Sequence, residues 1–459
     1  MTTRVLLLLL VVVVAPLEAC LSWSTAAPCT RTSECAADET CVSFEGVRRC
    51  LADPRVVDGE GEGEGEGEGE GEGEGEGEGE GEGEGEDACT AVAVDVDGKG
   101  FARLAADPVG RLVLVATSTE DVRTDVTAIV HNVATGTHTD AVNVGRRLNA
   151  RVDVVAAGWN AATNRFAVAW QEVDEAGNPP AIRLRQLTNS GGVDGGALLL
   201  PVGLRRDIDL LETADLVPTS TGWAFVYSVR SQDPGPGFAA NGIRHIRIVG
   251  NVVGSANELV ADAVCDGQQI VDDNGNLVIA VSVGNTAQPE VRADRYLAEV
   301  GVLESNVVAF DTAQFVVVQV PLPTSSGIVA LYTDNSNRSV SNVCRAPCTD
   351  PVPLATTFNF VDRSSFARIG PDRYAVVGRD DGGNVARFVL DLADLEQVSL
   401  GSYVQIDSRS ANQTGGFWSS RGVAVDGAWV TTRLSGDDVF NAPQTILLEV
   451  RCDPTVRLP

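Results

Sequence analysis

Pro218-Thr-Ser-Thr-Gly222 runs directly into Trp223-Ala-Phe-Val-Tyr227, and this junction of polar turn and apolar strand decides the fold. Pro, Ser, Thr and Gly are turn formers. Five successive apolar residues bounded by such a turn read as a strand buried on both faces. The same junction recurs along the chain. Asp107-Pro-Val-Gly-Arg111 precedes Leu112-Val-Leu-Val-Ala116, and Asn160-Ala-Ala-Thr-Asn-Arg165 precedes Phe166-Ala-Val-Ala-Trp170. Further instances begin their strands at Leu277, Phe315, Tyr374 and Trp429. The seven strand starts are spaced 54, 57, 54, 38, 59 and 55 residues apart. That is a repeat, with one short unit.

Most units carry a second strand 10 to 20 residues further on with stricter alternation, such as Ile182-Arg-Leu-Arg-Gln-Leu187 and Ile243-Arg-His-Ile-Arg-Ile248. Alternation means one wet face. A gradient from fully buried to half-buried strands within each unit resembles a blade of a β-propeller, packed between neighbours near the axis and wetter outside. The resemblance implies an all-β fold with seven blades over residues 88–459, within one of that count because the unit at Phe315 reads as a truncated blade. It carries neither WD nor kelch signatures. A pair of β-sandwiches is the alternative, against which the even repeat argues. In a ring the chain ends meet, so Cys89, opening Thr90-Ala-Val-Ala-Val-Asp-Val96, is expected to bridge Cys452. Closing so long a loop contributes on the order of 4–5 kcal/mol if unstrained. Cys344 and Cys348 form the simplest remaining pair, with Cys265 left buried.

Gly59 to Glu86 is Gly-Glu repeated fourteen times. The tract has nothing apolar to bury, and its glutamates repel, so residues 58–87 read as a disordered spacer. A flexible coil of that length spans roughly 30 Å, with a ceiling of about 95 Å when fully extended. A spacer implies something tethered at one end and displayed at the other.

Upstream, Arg4 and the apolar run Val5–Val14 form an export signal over residues 1–19, too short to span a bilayer. Leu17-Glu18-Ala19-Cys20 resembles the lipobox of bacterial lipoproteins, which implies a lipid on Cys20. Ordinary cleavage near Ala19 or Ala27, giving a secreted protein, is the alternative. Residues 20–57 hold Cys29, Cys35, Cys41 and Cys50 with little apolar sequence between them, so two disulfides are expected, in any of three pairings. Their spacing resembles the small four-Cys modules that follow the anchor in many bacterial lipoproteins of the predatory and delta type. Leu21 stands where an aspartate marks inner-membrane retention in some bacteria. The expected location is therefore the outer membrane, facing the cell surface, with a periplasm-facing or secreted protein as alternatives.

The chain of 459 residues has a formal charge of −30, fourteen of it from the tract. Such a surface repels phosphate backbones, so nucleic acid is not an expected partner. A catalytic base has few candidates. His131, His138 and His245 are the only histidines, and each reads as a solvated or core-edge residue of an outer strand or hairpin. The pairs Asp272-Asp273, Asp380-Asp381 and Asp437-Asp438 sit beside Gly or Asn and read as turn chemistry. Asp95-Val-Asp97-Gly98 does not complete a calcium loop. Trp159, Trp170, Trp223 and Trp429 read as blade packing, and Trp418, in Gly415-Gly-Phe-Trp-Ser-Ser420, as packing or a ligand surface. No catalytic, cofactor or metal residue is expected. The sequence reads as a monomeric, membrane-anchored display module for a protein or glycan. Its alternatives are a propeller-based glycan hydrolase or lyase, or a subunit of an envelope assembly.

Overall fold

In the computed structural model the described residues are 39–44, 47–52 and 89–452, the last apart from segments in the connections between strands. Their regular elements are all strands. Glu39–Phe44 and Val47–Ala52 form a hairpin. The remaining strands make seven antiparallel sheets of four or five strands. Sheet I holds Ala102–Asp107, Leu112–Ser118, Asp125–Asn132, Thr137–His138 and Val142–Arg146. Sheet II holds Ala150–Asn160, Arg165–Asp174, Ala181–Thr188 and Val193–Leu200, and sheet III Asp209–Thr219, Gly222–Ser231, Gly242–Val249 and Val252–Ala261. Sheet IV comprises Ala263–Val271, Leu277–Val283, Glu290–Leu297 and Val302–Ala309; sheet V comprises Val316–Thr324, Gly327–Asp334, Asn337–Arg345 and Val352–Pro353. Sheet VI is Ser365–Gly370, Arg373–Arg379 and Val385–Asp391 with two short outer strands. Sheet VII is Val423–Val425, Ala428–Ser435, Gln444–Cys452 and, from the other end of the chain, Cys89–Lys99.

Each sheet packs on the next in sequence. First strands meet first strands from I through V and again from VI through VII to I, while V and VI share one apolar cluster. The ring is therefore closed, and the fold is a β-propeller. Its last sheet is completed by the first strand of the ring, with Cys89 set directly opposite Cys452.

Side-chain alternation explains why the second strands open on a large residue. Phe166, Val168 and Trp170 face sheet I, whereas Ala167 and Ala169 face sheet III. Trp223, Phe225 and Tyr227 face sheet II, whereas Ala224 and Val226 face sheet IV. Large residues look backward onto small ones looking forward, and the layers interdigitate. Two glycines complete the fit. A Cβ on Gly158 would lie 2.6 Å from Trp223 Cζ3, and one on Gly145 would lie 2.5 Å from Trp170 Cζ2.

The short unit is corrected by the structure. Val316–Thr324 is the first strand of sheet V, not its second; the equivalent of Trp223 is Ile328, in Gly327–Asp334. Ile328 lies 51 residues after Leu277 and 46 before Tyr374, so no blade is truncated. The misreading has a plain cause. Val316-Val-Val-Gln-Val320 follows the polar Asp311-Thr-Ala-Gln314 and mimics the repeat, whereas the true junction, Thr324-Ser-Ser-Gly327, leads into an aliphatic residue instead of an aromatic one.

The burial gradient follows the expected order. Gly222–Ser231 is buried along its first eight residues, Ala181–Thr188 alternates, and the outer Val252–Ala261 is largely exposed. Two of the three histidines depart from expectation. His131 is fully buried and His245 nearly so, while His138 is exposed. Both buried histidines sit on third strands, which are still sandwiched between neighbouring sheets.

Candidate functional site

The two ends of the sheets differ. At one end the first and second strands are joined by two to five residues. Here Asp107 Oδ1 accepts the Val109 and Gly110 amides at 3.1 and 3.0 Å. Asn160 Oδ1 accepts those of Ala162 and Thr163, while its Nδ2 donates to the Thr219 and Gly222 carbonyls of the next sheet. At this turn end the asparagine both folds its own turn and ties two sheets. Ser220 and Glu299 tie III to IV, and Ser325 and Asp372 tie V to VI. Cys89 lies at this same end, beside Cys452.

The opposite, connection end carries the second-to-third and sheet-to-sheet connections, which run from one to fifteen residues. Around sheets I to III it is built from arginine clamps. Arg147, between I and II, donates to Glu172 and Asp174, both at 2.9 Å. Glu172 is buried and also accepts Arg183 Nε at 2.9 Å and the Trp170 indole at 3.1 Å. These bonds, Glu172 first, raise Arg147 further above its ordinary range. Arg205, between II and III, grips both Asp209 oxygens at 2.7 and 3.0 Å and donates to Ser231 Oγ at 2.7 Å. Burial pushes Asp209 up, but the Arg205 side chain and amide and Ser231 outweigh it, so its carboxyl sits below the usual range.

Three further pairs lie at this end of the sheets: Arg146–Asp125 at 3.2 Å, Arg151–Asp153 at 3.0 Å and Arg230–Glu212 at 3.1 Å, each approached through Nε. Asp153 lies on the first strand of sheet II. Burial holds its carboxyl above the ordinary range, against the pull of Arg151 and Arg103. Its Oδ1 has no hydrogen-bond partner. Arg103 on the first strand of sheet I donates Nε to the Val155 carbonyl at 3.1 Å, bonding I to II at the same level.

The histidines join sheets as well. His131 Nε2 lies 2.8 Å from Glu449 Oε2 across VII and I. His245 Nδ1 lies 2.6 Å from Tyr296 Oη across III and IV. Burial and then Arg247 lower His245, and burial pushes Tyr296 up to about 12. Neither pair opens to a ligand, so both are structural. Trp170 and Trp223 are buried in the sheets as expected, and the Trp159 ring packs on Phe166 at 4.6 Å.

The three aspartate pairs, Trp418, Cys20, Cys29, Cys35 and Cys348 lie outside the described residues. Cys344 is in a disulfide, and Cys41 stands opposite Cys50 in the hairpin register. The sequence reading missed the arginine clamps. A signal was present: Val144-Gly-Arg-Arg147 and Val202-Gly-Leu-Arg-Arg206 recur at the same place in successive units.

No protein-family description matches the chain, and no curated protein does. Among solved structures it is similar to the BP39L lectin from Burkholderia pseudomallei at 12% identity and a TM-score of 0.47, over 78% of this chain and 97% of that one. It is similar to the polysaccharide lyase Uly1 at 9% identity and 0.46, over 77% and 90%. The β-propeller domain of the Trilobed protease from Pyrococcus furiosus is similar at 11% and 0.42, over 77% and 94%. Likenesses this distant carry nothing about chemistry.

Proposed function

We propose that this chain is an exported protein, anchored in the outer membrane through a lipid on Cys20, that displays its propeller at the cell surface as a monomeric, non-catalytic binding module. The observation that carries the reading is the direction of Cys89–Lys99. The chain arriving from the spacer joins the ring at the turn end, so the connection end lies on the side away from the tether. The charges at that end support binding over catalysis. Glu172 is held by Arg147 and Arg183 and Asp209 by Arg205, and a carboxylate so engaged is a poor proton donor or nucleophile.

The disulfides belong to the same proposal. Residues directly opposite in an antiparallel pair have Cα atoms about 4.5–5.5 Å apart, within the range a disulfide spans. Cys89–Cys452 and Cys41–Cys50 follow from the two registers, which leaves Cys29–Cys35. The test of display is protease shaving of intact cells with mass spectrometry of the released peptides. Peptides from residues 89–459, with periplasmic controls silent, are the expected outcome. Protection until the outer membrane is broken would overturn surface display.

A further inference from the structure

We propose that the turn end of sheets II to IV docks on the lipid surface beside the chain's own anchor; this rests on the lipid-anchor reading above. Sheets II to IV are antiparallel meanders, so their third and fourth strands turn at the same end as their first and second. Among the described residues, six of the eight large apolar side chains left exposed lie at the turn end. Val109 is on the first turn of sheet I. Val193, the pair Val249 and Val252, and the pair Val300 and Val302 are on the outer hairpins of II, III and IV. The other two, Leu199 and Leu210, lie at the connection end.

The outer hairpins of III and IV each overlap the sheet before them. The Gly250 carbonyl of III accepts Gln186 Nε2 of II at 3.1 Å. Glu299 of IV accepts the Ser220 amide and hydroxyl of III at 2.6 and 2.9 Å, and the Thr221 carbonyl, next along, accepts the Gly250 amide at 3.3 Å. A Cβ on Gly301 would lie 2.8 Å from His245 Cε1 and 3.5 Å from Arg247 Cδ, on the strand that leads to Val249. The tips of III and IV therefore adjoin, with Val252 72% exposed and Val300 62%. Single exposed apolar residues are ordinary, but neighbouring ones on hairpins bonded to each other mark an interaction surface.

Two observations select lipid as the occupant. Cys89, where the chain arrives from the spacer, is at this end. A coil of the spacer's length spans roughly 30 Å, so the membrane that holds the anchor is within reach at high effective concentration. A few valines then suffice, although they would not hold a free protein on a bilayer. The tips are also nearly uncharged in a protein of net charge −30. Residues 189–193, 249–252 and 298–302 carry one charged side chain, Glu299, which Ser220 already engages. The remainder of the protein repels anionic headgroups, so the surface that fits is one without net charge. Docking turns the connection end outward and fixes an orientation that a flexible tether alone leaves free.

The test uses the full lipidated chain reconstituted in phosphatidylcholine vesicles, with a benzophenone side chain placed at Asn251 on the tip of III or, as the control, at Leu210. After irradiation, mass spectrometry should find lipid adducts at Asn251 at least tenfold above those at Leu210. A Val252→Ser/Val300→Ser/Val302→Ser variant should lower the yield at Asn251 at least threefold at an unchanged melting temperature. Equal yields at the two positions, or an undiminished yield in the serine variant, would overturn the docking. So would a cross-link from Asn251 to a second copy of the chain in place of lipid. Vesicles that carry the protein but give no adduct would remove the docked face and leave the anchor standing. A chain that does not float with the vesicles would remove the anchor and the docking together.

Discussion

The junction between sheets II and III and the junction between VII and I do the same job with different chemistry. The first joins neighbours in sequence. Its buried cluster is apolar, with Trp223, Phe225 and Tyr227 of III against Ala167, Ala169, Ile182 and Leu184 of II, and its polar ties, Asn160 and Arg205, lie at the two ends of the sheets. The second is the seam where the two ends of the chain meet. Among the described residues its apolar cluster holds no aromatic side chain: Ala102, Leu104, Val113, Val115, Ile129 and Val133 lie against Val425, Val430 and Leu447. Beside it lies the buried His131–Glu449 pair. Consecutive sheets are brought together by the chain itself, so burial and shape suffice. At the seam only Cys89–Lys99 is tied locally to sheet I, while the other three strands of sheet VII come from the far end of the chain, and a buried polar pair penalises every closure that leaves it unmatched. That it specifies closure is our hypothesis, since buried ion pairs serve as registers in some folds and not in others.

The largest expected effect breaks the seam. Glu449→Ala leaves a buried imidazole facing a void and should destabilise by about 3–5 kcal/mol. Replacing both partners by leucine should recover most of the loss if the pair contributes specificity instead of net stability. Urea unfolding of the two variants separates the cases. An unrecovered loss in the Leu/Leu protein would count against the register role, and a near-wild-type midpoint with mis-paired cysteines on refolding would support it.

The II–III junction breaks differently. Gly158→Ala places a methyl 2.6 Å from Trp223 and 2.9 Å from the Leu216 carbonyl oxygen. The second contact is backbone and yields little. Overpacking of this kind costs about 1–3 kcal/mol. Trimming the ring in a Gly158→Ala/Trp223→Leu protein should relieve the ring clash but not the carbonyl one, so rescue should be partial. Full rescue, read in thermal midpoints, would show that the indole alone sets the spacing there.

How much of this was legible in the sequence follows from the same contrast. The apolar junctions write themselves as runs such as Phe166-Ala-Val-Ala-Trp170, because a strand buried on both faces has no room for polar residues. The repeat, the closed ring and the Cys89–Cys452 register were all within reach of that pattern. Polar junctions leave no such trace. His131 and His245 read as half-wet because Val130-His-Asn132 and Arg244-His-Ile246 mix polar with apolar, as outer strands do. Only the neighbouring sheet shows that the face is covered. The arginine clamps were missed for a related reason, even though Val144-Gly-Arg-Arg147 and Val202-Gly-Leu-Arg-Arg206 repeat in the sequence. Arg147 and Glu172 are 25 residues apart and belong to different sheets, and a charged residue beside a turn ordinarily reads as solvated.

The smallest effect concerns the other buried histidine and sharpens the comparison between paired and merely enclosed imidazoles. His245 is enclosed by III and IV with Tyr296 as its polar neighbour, and the cation of Arg247 acts on it. Burial and that cation hold its folded pKa below its unfolded value. Between those two values the unfolded chain binds the extra proton, so stability is whole above the unfolded value near 6.5 and declines as pH falls, at no more than about 1.4 kcal/mol per unit. His245→Gln keeps a polar group beside Tyr296 and removes the titration. Unfolding free energies measured from pH 7.5 to 5 should therefore fall less steeply in the variant than in the wild type. Parallel curves would mean that the imidazole is already solvated in the native state and that the junction of III and IV opens to water where that of VII and I does not.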